Sequence, residues 1–173
     1  MEEMRRLRAE CASRLRTIAV PHPFDLDVFC ASIAAARHRP LYLRPLPRQA
    51  GVSVLYGLWI ATDRDDHIFH TRGATSLHKL AIVLHEIAHM LCDHRADDAI
   101  GDLLPSLDQR MVRSVLGRHA YSTHDEQEAE TLATLLFERA TRDPDGRSAG
   151  AAGDLLARLS DDLEHPVRVP FHG

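Results

Sequence analysis

The sequence predicts an α+β protein in which a small antiparallel or mixed sheet of about three strands packs on a mainly helical core. Apolar residues recur at steps of three and four along most of the 173 residues, which is the period of an amphipathic helix. Between residues 41 and 71, short runs of β-branched and aromatic residues are separated by turn-forming residues, as is typical of strands. The length fits one domain with its own core, so we expect a single domain over residues 1–173.

The helices and strands can be placed by the residues at their ends. Helices are predicted over residues 2–19, 26–38, 77–94, 107–116, 124–142 and 152–163. Strands are predicted over residues 41–46, 52–62 and 67–71, with a turn at 63–66 that makes the sheet largely antiparallel. Asp25 is expected to cap the second helix, and Thr75 or Ser76 the third. Ser122 is expected to cap the helix at 124–142, with Asp125 at its third position.

Charge is unevenly distributed along the chain. The net charge is −4, but residues 1–48 hold nine arginines against five acidic residues, and the remainder is acidic. A balance this mild, without a recognition motif, argues against direct nucleic-acid binding. The basic part is most simply a solvated helix face, and the alternative is a docking surface for an acidic partner.

The cysteines and the lengths of the apolar runs indicate the cellular compartment in which the protein is expected to work. The chain has three cysteines, Cys11, Cys30 and Cys92, and no two of them have CxxC spacing. An odd number without this spacing favours reduced thiols over a disulfide scaffold. The charged N-terminus lacks the apolar run of a signal peptide, and no stretch approaches the ~20 apolar residues of a spanning helix. We therefore expect a cytoplasmic protein that does not enter a membrane.

The strongest chemical signal is the sequence His85-Glu86-Ile87-Ala88-His89 within a predicted helix. Residues four apart lie on the same helix face, so that two imidazoles can bind one zinc ion. Glu86, at the edge of that face, can act as a general base on water. Apolar residues on both sides indicate a buried helix, where unpaired polar side chains would be unfavourable. This pattern predicts a Zn²⁺ site with His85 and His89 as ligands and Glu86 as the catalytic residue.

A third protein ligand is expected from a later helix, because a catalytic zinc site commonly has three protein ligands. The acidic start of the helix at 124–142 offers Glu126 and Glu128. Glu126 is favoured because it shares a face with small residues, whereas Glu128 lies about 200° away. Glu130, one turn after Glu126, could accept a hydrogen bond from a ligating imidazole. Cys92 is more often a packed side chain, and His94 is expected to lie off the face of the ligands.

Three stretches, Gly57–Thr62, Leu80–His94 and Glu126–Ala133, resemble the ImmA/IrrE family of metallopeptidases. In that family, which is gluzincin-like, an HExxH helix is paired with a glutamate from a later helix that carries a Glu-x-Glu-Ala-(Asn/Asp) pattern. The resemblance implies a zinc-dependent endopeptidase whose protein substrate is a helix-turn-helix repressor or an antitoxin-type partner in a bacterial regulatory system. This chain departs from the pattern at Glu130, where the family has Asn or Asp, and in its longer gap between the motifs.

Three groups of residues near the motifs have roles that the sequence leaves open. His119 or Tyr121 could donate a hydrogen bond to the oxyanion formed during hydrolysis. His78 could lie behind the metal ligands or be exposed. His67 and His70 are interpreted as lying on one strand face, beside which a substrate could add as an extra strand.

The alternative function is a regulatory or toxin–antitoxin binding module that contains zinc and does not catalyse hydrolysis. Under either hypothesis, residues 1–48 form a basic helical part, residues 49–142 the zinc-binding core, and residues 143–173 a C-terminal helix and tail. In the binding module, the basic part would contact the partner. Glu86 separates the two hypotheses, because a purely structural zinc site has no need of a general base.

Overall fold

The structure is a computed structural model that describes residues 1–46, 56–62, 64–94, 115–116 and 121–142. Within these ranges the elements follow one another as α1 (Glu2–Leu15), α2 (Leu26–Arg37), β1 (Leu41–Pro45), β2 (Gly57–Ala61), β3 (Asp66–His70), α3 (Ser76–Leu91), β4 (Val115–Leu116) and α4 (Thr123–Ala140). The α+β prediction with a small sheet is confirmed. The helix predicted over residues 152–163 lies outside the described residues.

Polar caps begin three of the helices where the sequence predicted them. The Asp25 carboxylate accepts a hydrogen bond from the Val28 amide at 2.7 Å, and the Thr75 side chain caps α3 in the same way. Ser122 and Asp125 form a reciprocal capping box at the start of α4. Because each cap satisfies an amide that the helix itself leaves unbonded, these boundaries follow from local chemistry.

α1 ends at Leu15 rather than near residue 19 as predicted. The amides of Arg16, Thr17 and Ile18 bond to carbonyls three residues earlier, at 3.0–3.2 Å, instead of four. Such tighter bonds close the last turn of a helix and bond carbonyls that would otherwise be left free. The helix therefore stops several residues before Pro21, and the proline does not terminate it directly.

The sheet is mixed, with the strand order β1-β3-β2-β4. β2 is antiparallel to β3 and to β4, and the predicted turn between β2 and β3 is closed by a hydrogen bond from the Thr62 amide to the Asp65 carbonyl. β1 pairs with β3 in parallel, so the sheet is mixed, one of the two predicted forms, and antiparallel in its other two pairings. The reason is topological, because the β2–β3 hairpin places β3, not β2, next to β1.

Residues 115–116 form β4 and not the end of the helix predicted over 107–116. They pair with Trp59 and Ile60 on the free edge of β2. At the open edge of a sheet, backbone N–H and C=O groups lack partners, and a pairing strand supplies hydrogen bonds to them. Here these hydrogen bonds to β2 outweigh the preference for a helix that the local sequence pattern indicates. Residues 107–114 of that prediction lie outside the described residues.

One hydrophobic cluster joins the four helices to β2 and β3. α3 lies at its centre and is buried on more than one side, as predicted, with Leu80, Leu84 and Ile87 at 0–1 % exposure. Ala88 of α3 and Ala129 of α4 are fully buried, and such small side chains allow two helix backbones to approach closely. Among the described residues, no helix has both the length and the apolar character that crossing a bilayer requires.

Candidate metal centre

α3 brings His85 and His89 together on one face. Their Nε2 atoms lie 3.0 Å apart, and the two rings are nearly perpendicular, at 77°. His89 is fully buried, whereas His85 is partly exposed. The spacing of one helical turn thus produces the convergence that the sequence predicted.

α4 contributes the third side chain, Glu126. One carboxylate oxygen lies 3.5 Å from Nε2 of His85, and the other lies 3.7 Å from Nε2 of His89. The candidate ligand atoms of the three residues all lie within 4.8 Å of one another. Ligands held at ordinary Zn–N and Zn–O distances around a tetrahedral ion are separated by about 3.3–3.4 Å. The donor set and its spacing therefore fit a zinc ion with three protein ligands.

Glu86, the residue after His85 on α3, packs closely against Gly57, a contact that the sequence did not predict. Residue Glu86 is 4 % exposed, and its carboxylate packs against Gly57 at the start of β2. A Cβ atom at position 57 would lie 2.6 Å from Oε1 of Glu86. Glycine inside a strand often marks close approach by another group, and Gly57 lies inside the strand predicted over residues 52–62, so this was the signal available.

The Tyr121 ring packs face to face against the His89 ring. The two rings are stacked, with centroids 3.6 Å apart and planes 8° from parallel. The Tyr121 hydroxyl is buried and has no hydrogen-bond partner among the described residues. Burial, and after it the negative charges of Glu86 and Glu126, raise the pKa of Tyr121 far above its usual value. The phenol therefore stays un-ionised and can donate a hydrogen bond, and the other proposed donor, His119, lies outside the described residues.

His94 was expected off the face of the ligands, and it lies behind His89, against the Nδ1 atom and not the Nε2 atom that faces His85. α3 ends at Leu91, and Asp93 adopts a left-handed conformation with φ 54°. The amide of His94 then bonds to the His89 carbonyl, and that of Asp93 to the Met90 carbonyl. These two bonds are a Schellman ending, which folds the chain back over the last turn of the helix. The Nδ1 atoms of His89 and His94 consequently lie 2.9 Å apart.

Glu128 points to His94 and away from the His85–His89 pair. Its Oε2 lies 3.1 Å from Nε2 of His94, and its Oε1 accepts a hydrogen bond from Arg14 at 3.2 Å. The ligand atoms of Cys92, His94 and Glu128 form a second group within 4.8 Å. Glu130, which was expected to accept from a ligating imidazole, is exposed and lines the same cleft as His85, and the partner found at Nδ1 of His89 is His94.

A cleft of about 700 Å³ opens beside His85, the candidate ligand that lines it. Its walls come from the start of β2, the first three turns of α3 and the middle and end of α4: Tyr56, Gly57, Leu77, His78, Ala81, Ile82, Leu84, His85, Glu86, Glu130, Ala133, Thr134 and Phe137. His78 is an exposed part of this wall, near Tyr56. A polar end at His85 and Glu86 and largely apolar walls suit the binding of a peptide segment.

The interpretation of His67 and His70 as neighbours on one strand face is wrong. Side chains alternate along a strand, so residues three apart point to opposite faces. His67 is 3 % exposed and stacks on Tyr42, with ring centroids 5.3 Å apart. β3 also lies inside the sheet between β1 and β2, so no added strand can pair with it.

No family model, curated protein or solved structure matches this chain. The resemblance of its motifs to the ImmA/IrrE metallopeptidases therefore stays a prediction from the residues.

Proposed function

We propose that this protein is a zinc-dependent endopeptidase. The observation that carries the proposal is the convergence of His85, His89 and Glu126 at ligand spacing, with the buried Glu86 carboxylate next to them at the end of a cleft. Three protein ligands leave a fourth position for water or substrate, which is the arrangement of catalytic rather than structural zinc. The resemblance of the two motifs to ImmA/IrrE metallopeptidases supports the same assignment.

The proposed reaction is hydrolysis of a peptide bond. Zinc, when bound by the three residues, supplies a Lewis acid that polarises the carbonyl group and makes water more acidic. Glu86 accepts a proton from the attacking water while the oxygen of that water adds to the carbonyl carbon of the substrate. The same carboxyl group then delivers the proton to the nitrogen of the breaking C–N bond. The Tyr121 hydroxyl, un-ionised at neutral pH, is available to donate to the carbonyl oxygen as it gains charge.

The substrate and compartment belong to the same proposal. The cleft is open and largely apolar, which suits an extended protein segment, and the resemblance points to a helix-turn-helix repressor or antitoxin-type partner. The three cysteines are free thiols, in agreement with a reducing, cytoplasmic setting.

The alternative, a zinc-containing binding module that uses its basic first 48 residues, gains little support from the ion pairs. Four arginines of that segment are paired with acidic residues elsewhere in the chain: Arg8 with Glu138, Arg14 with Glu128, and Arg37 and Arg39 with Asp66. Much of the positive excess is therefore used inside the protein. A partner would encounter a weaker basic surface than the sequence suggests.

Substituting Glu86→Gln tests the proposed function. We expect the variant to bind zinc as the wild type does, by metal analysis, but to lose about 10²–10⁴-fold in the rate of cleavage of a denatured protein such as reduced casein. His85→Ala should lose stoichiometric zinc. Glu138→Gln, on the outer part of α4, is the matched control and should retain both properties. Wild-type cleavage by Glu86→Gln, or full zinc content in His85→Ala, would contradict the proposal.

A further inference from the structure

A chain of four side chains connects the candidate metal ligands to α1. Nδ1 of His89 lies 2.9 Å from Nδ1 of His94, Nε2 of His94 lies 3.1 Å from Glu128, and Arg14 donates to Glu128 at 3.2 Å. Arg14 also donates to the Leu91 carbonyl at 2.9 Å, so it is fixed at both ends of its guanidinium group. His94 is 6 % exposed, and the Glu128 side chain 16 %.

The acceptor at the end of this chain determines where the protons lie. A neutral imidazole carries one N–H, so of the two facing Nδ1 atoms one must donate and the other accept. The Glu128 carboxylate can only accept, and it therefore requires the proton of His94 to be on Nε2. Nδ1 of His94 is then an acceptor, His89 donates from Nδ1, and the lone pair of His89 is on Nε2. That atom is the one that faces His85 and Glu126.

We propose that His94 and Glu128 are positioning residues that hold His89 in the tautomer and orientation required to bind zinc. This inference rests on the metal site of the proposed function. Carboxylate partners behind a ligating histidine fix its ring and increase its basicity, and here a second histidine is inserted between the carboxylate and the ligand. Arg14 offsets the charge of Glu128, and the carboxylate of Asp125, 3.8 Å from Nε2 of His94, adds negative charge on the same side without a hydrogen bond.

The same geometry argues against a second metal ion on Cys92, His94 and Glu128. An ion there would need the lone pair of His94 on Nε2, which would place its proton on Nδ1, facing His89. His89 would then have to accept at Nδ1 and carry its own proton on Nε2, where the first metal should bind. With neutral imidazoles, the two groups cannot both be filled, and the Arg14 guanidinium next to Glu128 disfavours a cation at the second one.

The test measures metal binding by the full-length protein in solution, with Zn²⁺ and Co²⁺ as probes. Zinc affinity is measured by competition with a chromophoric chelator, and the ligand field by the visible absorption of the Co²⁺ form. We expect one zinc per wild-type chain, and affinity reduced about 10–100-fold in His94→Phe and in Glu128→Gln, each with an altered Co²⁺ spectrum. Because the two residues act in series, the double variant should bind zinc about as weakly as His94→Phe alone.

Controls separate this proposal from the proposed function and from a folding defect. Glu138→Gln is the matched exchange on the same helix and should bind zinc as the wild type does. Glu128→Gln preserves the side-chain shape and keeps the test valid even if His94→Phe unfolds. Wild-type affinity and spectrum in both variants would overturn the positioning role while leaving the proposed function intact. Two zinc ions in the wild type, one of them lost in each variant, would establish the second site instead. A wild type without zinc would overturn the metal site itself and this inference with it.

Discussion

At the scale of single residues, Gly57 determines how closely β2 approaches the general base. A methyl group at this position would lie 2.5 Å from Cγ2 of Ile82 and 2.6 Å from Oε1 of Glu86. We expect Gly57→Ala to displace Glu86, to reduce peptide hydrolysis by about 10-fold or more, and to destabilise the fold by about 1–3 kcal/mol through overpacking. Steady-state cleavage assays and denaturant unfolding check both effects, and zinc content should stay near one per chain.

A second glycine provides the control for this substitution. Gly73 has a positive φ of 72°, but a Cβ atom at this position would have no other group within 4 Å. Gly73→Asn, which tolerates this backbone conformation, should therefore leave cleavage unchanged. Full activity in Gly57→Ala would show that Glu86 does not need its present position.

The buried thiol of Cys30 provides a prediction on pH that does not involve the metal site. Burial, followed by the charge of Asp27, raises the pKa of Cys30 from 9.0 to about 12. Below pH 9, the pKa of the unfolded chain, the thiol is protonated in both states and its contribution to stability is fully present. Between about pH 9 and 12 only the unfolded chain ionises, so the free energy of unfolding falls by up to about 1.4 kcal/mol per pH unit. Cys30→Ala lacks this dependence. It should be less stable than the wild type at pH 7, and the difference should shrink by pH 10.5.

Urea unfolding at several pH values measures the difference between the two proteins. A difference that stays constant between pH 7 and 10.5 would show that the Cys30 thiolate is not disfavoured in the folded protein. Alkylation followed by mass spectrometry provides a second measurement, since native Cys30 should react far more slowly than the same residue in urea.

At the scale of secondary-structure elements, the cap of α4 links helix stability to metal binding. The Asp125 amide donates to Ser122 Oγ at 3.2 Å, and Glu126 and Glu128 follow in the first two turns. Ser122→Ala should destabilise the metal-free protein by about 1 kcal/mol, because the helix start loses its side-chain acceptor. Fraying of that turn should also weaken zinc binding, since it carries the third ligand. Urea unfolding and chelator competition measure the two effects.

α2 supplies the matched control for a lost cap. Asp25→Ala removes an equivalent hydrogen bond, to the Val28 amide, and should reduce stability by a similar amount. Because α2 contributes no residue to the candidate ligand group, the zinc affinity of the Asp25→Ala protein should not change. Equal loss of affinity in both variants would mean that zinc binding follows general stability and not the order of the first turn of α4.

The elements that the sequence predicted well are those whose limits depend on near neighbours. The starts of α2, α3 and α4 depend on a polar side chain and an amide within a few residues, and the HExxH pair depends only on the helical repeat. β4 and the parallel β1–β3 pair depend on contacts between distant segments, which periodicity does not contain. His94 was missed because its position requires a left-handed residue at Asp93, and the sequence has there neither glycine nor asparagine.

At the scale of the whole molecule, the sheet has two chemically different ends. Gly57 at one end of β2 contacts Glu86, while Ala61 at the other end pairs with Asp66. The two ends are separated by four residues, or roughly 13 Å along the strand. Asp66 is 1 % exposed and accepts from Arg37 at 3.2 Å, from Arg39 at 3.3 Å and from the Trp59 indole at 3.2 Å. This end therefore anchors the segment after α2 to the sheet.

The substitution Asp66→Asn tests whether the free energy of unfolding can be lowered at this end of the sheet without a change in zinc affinity. The amide can retain one hydrogen bond but loses the charge that holds two partly buried guanidinium groups, so we expect a loss of about 2–4 kcal/mol. Glu10→Gln, which breaks the exposed Arg6–Glu10 pair, should produce no measurable loss, because water screens an exposed pair. Denaturant unfolding of the metal-free proteins measures both. The zinc affinity of folded Asp66→Asn should equal that of the wild type, because Asp66 is not one of the candidate ligands. A large loss of affinity would show instead that Arg37, which also donates to the Met90 carbonyl at 3.3 Å, couples Asp66 to the end of α3.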